Sequence, residues 1–127
     1  MIKIPLKIAI RVDANELIGG GHFRRCLSLA EAMKIQGHKI LFISASLPIK
    51  MQKVLEINDF SYKMIEFSTL RKRIPKFQIS QNKYEQWLSI PKNLDAKRTN
   101  KILKKFEPDW VIFDNYGLDF RWVMEVK

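Results

Sequence analysis

The chain has 127 residues, 46% of them hydrophobic, and its 23 Lys and Arg outnumber 13 Asp and Glu to give a net charge of +10. That length suits one domain of about 100–150 residues, and the apolar content excludes a disordered chain. The single Cys26 excludes an internal disulfide and a multi-cysteine metal site, and no apolar run approaches the ~20 residues that a bilayer span requires.

The N-terminal segment MIKIPLKIAIRVD is apolar and basic. Lys3, Pro5 and Lys7 interrupt it and no small-residue cleavage site follows, so it reads as a strand and not as a signal peptide. A cytoplasmic location is expected by default. The basic balance admits a polyanion partner. However, Lys and Arg are dispersed, and the densest run, Arg71-Lys72-Arg73, lacks interleaved aromatics. The excess is read as a solvated face, with no nucleic-acid and no membrane partner expected.

In chain order, Lys7 to Val12 is a short apolar run that predicts a buried strand. The loop Asp13 to Gly21 ends in Gly19, Gly20 and Gly21. His22 to Gln36 then carries Phe23, Cys26, Leu27, Ala30 and Met33 at helical spacing, and Gly37 marks a C-terminal cap. Lys39 to Ser44 is the next strand. Strand, Gly-rich loop, helix and strand make a βαβ unit, which implies a parallel sheet with a right-handed crossover. Pro48 to Ile57 predicts a second helix and Tyr62 to Phe67 a third strand. Ser68 to Pro91 is polar and weakly patterned, and is read as a long surface loop or lid whose basic part is Thr69 to Lys76. Asp95 to Phe106 is a helix with a Lys-rich outer face, ended by Pro108. Asp109 to Asp114 is a strand, and a helix begins at Leu118. The fold class expected is α/β, a Rossmann-like open parallel sheet. The stop at Lys127, just as a helix begins, reads as a truncated frame.

Ligands of open parallel sheets sit beyond the carboxyl ends of the strands, where the segment Arg11 to His22 lies. Its glycines allow close backbone approach, and the helix start offers unpaired N–H groups to an anionic or sugar-like ligand. A dinucleotide fingerprint is not met. Arg24 stands where its third Gly belongs, and the second strand ends in Ile43-Ser44 without an acidic residue. A P-loop is excluded because no Gly-Lys-Ser/Thr is present. His22 at the helix start is the sharpest residue. The helix N-terminus disfavours a charged imidazole, and a neutral imidazole is what a general base needs. Position alone leaves open a bland alternative, a His that only bonds backbone. His38, after the Gly37 cap, is expected to face solvent without a role. Asp114, Asn115 and Tyr116 end the last strand and make a candidate second wall on the same edge as His22.

Arg11, Asp13, Ile18, Gly19, Gly21, His22, Arg25, Cys26, Leu27, Leu29 and Ala30 together form a pattern that resembles the start of the UDP-2,4-diacetamido-2,4,6-trideoxy-β-L-altropyranose hydrolases. Asp109 to Trp122, DWVIFDNYGLDFRW, resembles the second signature of that family. Trp87-Leu88 and Asp95-Ala96 are also similar. Gly20 stands where the family varies, and Asn115 stands where a His is common. The resemblance implies residues 1–127 as the N-terminal, catalytic-base domain of a two-domain enzyme of the GT-B type, without the C-terminal UDP-binding domain and with little activity alone. It implies a UDP-sugar substrate, no cofactor and no metal, and a monomer when complete. The reaction implied is hydrolysis of the anomeric bond to UDP and free sugar on the way to pseudaminic acid. His22 matches the catalytic base. Asp114 and Tyr116 match the opposing wall, and Arg11, Asp13, Gly19, Gly20 and Gly21 are candidate substrate-binding residues. By its chemistry, Asp13 could orient the imidazole. Two alternatives stand beside this reading. One is a glycosyltransferase of the spore-coat polysaccharide type with the same first motif, in which His22 deprotonates an acceptor hydroxyl. The other is a non-catalytic sugar- or polyanion-binding module.

Overall fold

A computed structural model describes residues 4–65, 90–115 and 117–126. Four strands, β1 (Lys7–Val12), β2 (Lys39–Ser44), β3 (Ser61–Met64) and β4 (Trp110–Asp114), form one sheet in the order β3-β2-β1-β4. All three pairings are parallel. Helices α1 (Gly21–Ile35), α2 (Ile49–Ile57), α3 (Lys92–Phe106) and α4 (Phe120–Glu125) complete a Rossmann-like α/β fold, as the sequence pattern implies. No helix among the described residues is long and apolar enough to cross a membrane.

Alternation along the strands divides the core in two, because successive side chains leave a strand on opposite faces. Ile8, Ile10 and Val12 of β1 pack with Ile40 and Phe42 of β2 and with Phe23, Cys26 and Ala30 of α1. Leu27 and Met33 flank this cluster, so all five residues of the expected helix stripe meet the core. Ala9 of β1 packs with Leu41 and Ile43 of β2 and Leu103 of α3 on the other face. Ile112 of β4 joins the α1 face and Val111 joins the α3 face. Even-numbered residues of β1 and β4 therefore look toward α1, and odd-numbered ones toward α3 and α4. The two edges of the sheet differ in character. Ser61 and Lys63 of β3 are exposed between the half-buried Tyr62 and Met64, whereas β4 is apolar throughout its first four residues, with Trp110 64% exposed.

Strands β1 and β2 have the bounds read from the sequence. Helix α1 begins at Gly21 and Gly37 takes φ 93° just after it, the left-handed turn expected of that glycine. Helix α3 begins at Lys92, a turn before the expected Asp95, because Leu94 packs against the core and Lys92 pairs with Asp119 at 2.7 Å. The expected loop Ser68 to Pro91 lies outside the described residues except for its last two, and Ile90 of these is buried in the core. His38 is half-buried, a departure from the expected solvent-facing position: its Nδ1 accepts the Leu6 N–H at 3.0 Å, closing the start of the sheet.

Candidate active site at the switch point of the sheet

Strand order reverses between β1 and β4. The chain leaves β1 toward α1 on one face, and leaves β4 toward α4, whose Trp122 packs with Ala96 of α3 on the other. In open α/β sheets, a divergence of this kind between neighbouring strands marks the crevice at their carboxyl ends where ligands bind. His22 lies in the first turn of α1 after β1, and Asp114 is the last residue of β4.

The structure joins these two residues. His22 Nδ1 lies 2.6 Å from Asp114 Oδ1. An ionised carboxylate only accepts hydrogen bonds, so Nδ1 must carry the proton in this pair, and the neutral ring then has its lone pair on Nε2. Both side chains are mostly shielded, with 11% and 15% of their surface exposed. Arg25 Nε donates to Asp114 Oδ2 at 2.9 Å and Arg25 Nη2 donates to Oδ1 at 2.7 Å. The contact of Arg25 Nη2 with His22 Nδ1, at 3.1 Å, then sets two donors side by side around a shared acceptor. Burial acts to raise the Asp114 carboxyl, but the hydrogen bonds and charges of His22 and Arg25 outweigh it and hold the group below the usual carboxylate range. Cys26 Sγ lies 3.7 Å from Asp114 Oδ2. Burial and the neighbouring Asp114 charge push this thiol up to about 12, against a smaller opposing effect of Arg25. Cys26 is a packing residue that stays protonated, and not a nucleophile.

Arg11 and Asp13 take a different place from the one expected. Both are buried, on the face opposite α1, and they bind each other and not the crevice. Arg11 Nη1 donates to Asp13 Oδ1 at 2.6 Å and Nη2 to Asp13 Oδ2 at 3.1 Å. Arg11 Nε also donates to Oδ1 of Asp95 on α3 at 3.1 Å, and Nη2 binds the other oxygen of Asp95. Burial acts to lower the Arg11 guanidinium, but the two carboxylates raise it more, so it stays charged. Asp13 Oδ1 further accepts the Ala45 and Ser46 N–H groups at 2.8 and 3.2 Å, and its Oδ2 accepts Asn115 Nδ2 at 3.1 Å. Asp95 Oδ1 accepts Trp122 Nε1 at 2.9 Å and Thr99 Oγ1 at 3.3 Å. Asp13 therefore does not orient His22; Asp114 does. The physical reason is parity: Asp13 shares the odd-numbered face with Arg11, while Asp114 shares the α1 face with Ile112.

Asp95 is the structural member that sequence reasoning missed. A signal existed, since an arginine inside an apolar strand demands a buried counter-charge. Asn115 is also part of this network. Its Oδ1 accepts the Gly117 N–H at 2.8 Å, so it shapes the turn after Asp114. Tyr116 lies outside the described residues.

Of the three glycines, Gly19 has φ 81°, and its N–H bonds Asn15 O at 2.7 Å to close the loop. Gly20 is the N-cap of α1, and a Cβ there would stand 2.9 Å from the Met51 methyl of α2. Gly21 has open space around it. The loop is thus closed on itself at Gly19 and packed against α2 at Gly20, where α1 starts. Among the described residues, no group of three or more His, Cys, Asp or Glu side chains is placed to hold a metal ion. An apolar cleft of about 340 Å³ between α3, α4 and β4, lined by Leu103, Pro108, Val111, Phe113, Trp122 and Val126, opens on the face away from α1 and contains neither His22 nor Asp114.

No protein-family model matches this sequence. No curated protein matches it either. Among solved structures the chain is similar to a glycosyltransferase from Rickettsia africae ESF-5, with a TM-score of 0.56 and 21% identity over 89% of this chain and 25% of that one. The chain thus spans about a quarter of the length of that glycosyltransferase, and what the two share is the Rossmann-like α/β fold.

Proposed function

We propose that this domain supplies the general base of a nucleotide-sugar enzyme, with His22 as the base and Asp114 as the residue that orients it. The observation that carries the reading is the 2.6 Å pair between His22 Nδ1 and Asp114 at the switch point of the sheet. The pair puts the proton on Nδ1, so the basic lone pair of the neutral ring is that of Nε2, the atom given the base role in this reading. In the reaction proposed, that oxygen forms a bond to the anomeric carbon as the bond to the UDP oxygen breaks. Its proton passes to Nε2, and UDP leaves with the bonding electron pair. Asp114 offsets the charge of the imidazolium so formed.

The resemblance of the two sequence motifs to the hydrolases favours water as the nucleophile, and with it a UDP-2,4-diacetamido-2,4,6-trideoxy-sugar substrate and a role in pseudaminic acid synthesis. The likeness of fold to a glycosyltransferase favours an acceptor hydroxyl instead. Both readings use the same base on the same carbon. Turnover of the UDP-sugar in ¹⁸O-water by the full-length enzyme separates them. Label in the anomeric hydroxyl of a free sugar indicates the hydrolase, and sugar found only on an acceptor indicates the transferase. Unchanged turnover of both kinds after His22→Asn would remove the base from the proposal.

A further inference from the structure

Arg25 stands three residues after His22 on α1, so the two side chains leave the same helix face. Its guanidinium grips Asp114 with two hydrogen bonds, and Oδ1, the oxygen nearest His22 Nδ1, is shared between the two partners. Arg25 is 63% exposed, while the carboxylate it holds is mostly covered. An arginine tied down this way keeps its charge at every physiological pH. That charge sits 3.1 Å from the imidazole nitrogen.

An unopposed carboxylate beside a histidine favours the imidazolium, and an imidazolium cannot accept a proton from a nucleophile. A fixed cation on the same carboxylate works in the opposite direction. Charged and titratable groups of a helix and a strand meet at this pair. Helix α1 offers Arg25 and Cys26, and the thiol is uncharged at neutral pH. Strand β4 offers Asp114. The side chain of Arg24 turns back toward Gly20 at the helix start, and Asp13 is committed to Arg11.

Resting on the reading of His22 as the base, we infer that Arg25 is its positioning residue: it fixes Asp114 and balances its charge, so that the carboxylate orients the imidazole without holding it protonated. The test is a pH titration of the ¹⁵N-labelled histidine rings by NMR in the unaltered chain, Arg25→Gln and Arg25→Lys. The chain has two histidines, and His38, at the opposite end of β2 from the crevice, is an internal reference for folding. In Arg25→Gln the His22 ring should take up its proton at a higher pH than in the unaltered chain, because the carboxylate is no longer balanced. Arg25→Lys keeps the charge and should lie closer to the unaltered chain. In the full-length enzyme the acidic limb of kcat/KM should move up with it, and kcat should recover at high pH. A His22 titration that is unmoved or moved downward in Arg25→Gln, with His38 constant, would overturn the inference. The titration is read without substrate, so it fails independently of the base assignment, whose own failure would show as undiminished turnover in His22→Asn.

Discussion

Two arginine–carboxylate clusters lie near the same end of this sheet and have opposite fates. Arg11 is enclosed between Asp13 and Asp95, with no side-chain surface exposed on any partner named in its ion pairs. Its carboxylate oxygens are further occupied by N–H groups of Ala45, Ser46, Asn115 and Trp122. Arg25 meets Asp114 at the rim, with the arginine side chain 63% exposed and His22 as a third member. The first cluster uses its charges to tie β1 to α3, α4 and the loops after β2 and β4. The second holds an imidazole at the crevice. The same residue types are enclosed as scaffold in one cluster and brought to the rim beside a histidine in the other, with Asp13 and Asp114 on opposite faces of the sheet.

The sharpest way to break this comparison is to remove each arginine. Arg11→Met leaves two carboxylates buried without their counter-charge, and should cost about 3–5 kcal/mol of stability in urea denaturation. Arg25→Gln should cost at most about 1 kcal/mol, because its ion pair is solvent-screened. Equal losses in the two variants would erase the distinction.

A smaller effect separates the clusters by pH. Asp114 is held below the usual carboxylate range, so the unfolded chain binds its proton more readily than the folded one. Its contribution to stability is fully present above the unfolded value of about 4, and is lost as pH falls through the lower folded value. Asp114→Asn should therefore be less stable than the unaltered chain at pH 7, and should lose less stability between about pH 4 and pH 2. Parallel acid curves for the two proteins would contradict the assignment. The smallest effect concerns Cys26. Its thiol, pushed up to about 12 and buried, should resist alkylation by iodoacetamide at pH 7.5 in the folded chain and react promptly in urea. Fast modification of the folded chain would show that the floor beneath Asp114 is open.

Much of this architecture is legible in the sequence, for physical reasons that can be stated. Strands β1 and β2 are mostly apolar runs, broken in β1 by Arg11 and bounded by a Gly-rich loop and by Gly37, the form taken by strands covered on both faces. The Phe23, Cys26, Leu27, Ala30 and Met33 stripe marks the inner face of α1 because its period is helical. The first turn of α3 is not legible, because Leu94 and Lys92 are held by partners distant in sequence. Nor does the sequence alone place Asp114 and not Asp13 at the imidazole. That choice depends on the register Val12↔Asp114 and Arg11↔Phe113 between β1 and β4, which sets each side chain on one face or the other. Arg11 and Asp13, two apart on β1, share a face by the period-2 rule. The pairing of one with the other could have been inferred from that spacing; their third partner, Asp95, needed the packing of α3.

Steady-state kinetics of His22→Asn in the full-length enzyme most directly tests whether His22, set by Asp114, takes the proton of the nucleophile. Asparagine keeps much of the size and the hydrogen bonding but has no basic nitrogen. With His22 as the base, kcat should fall by about 10²–10⁴-fold with KM little changed, and the acidic limb of the pH–rate profile should flatten. A variant with near-normal kcat and an unaltered pH profile would contradict it, and would leave the His22–Asp114 pair as a helix-start contact only.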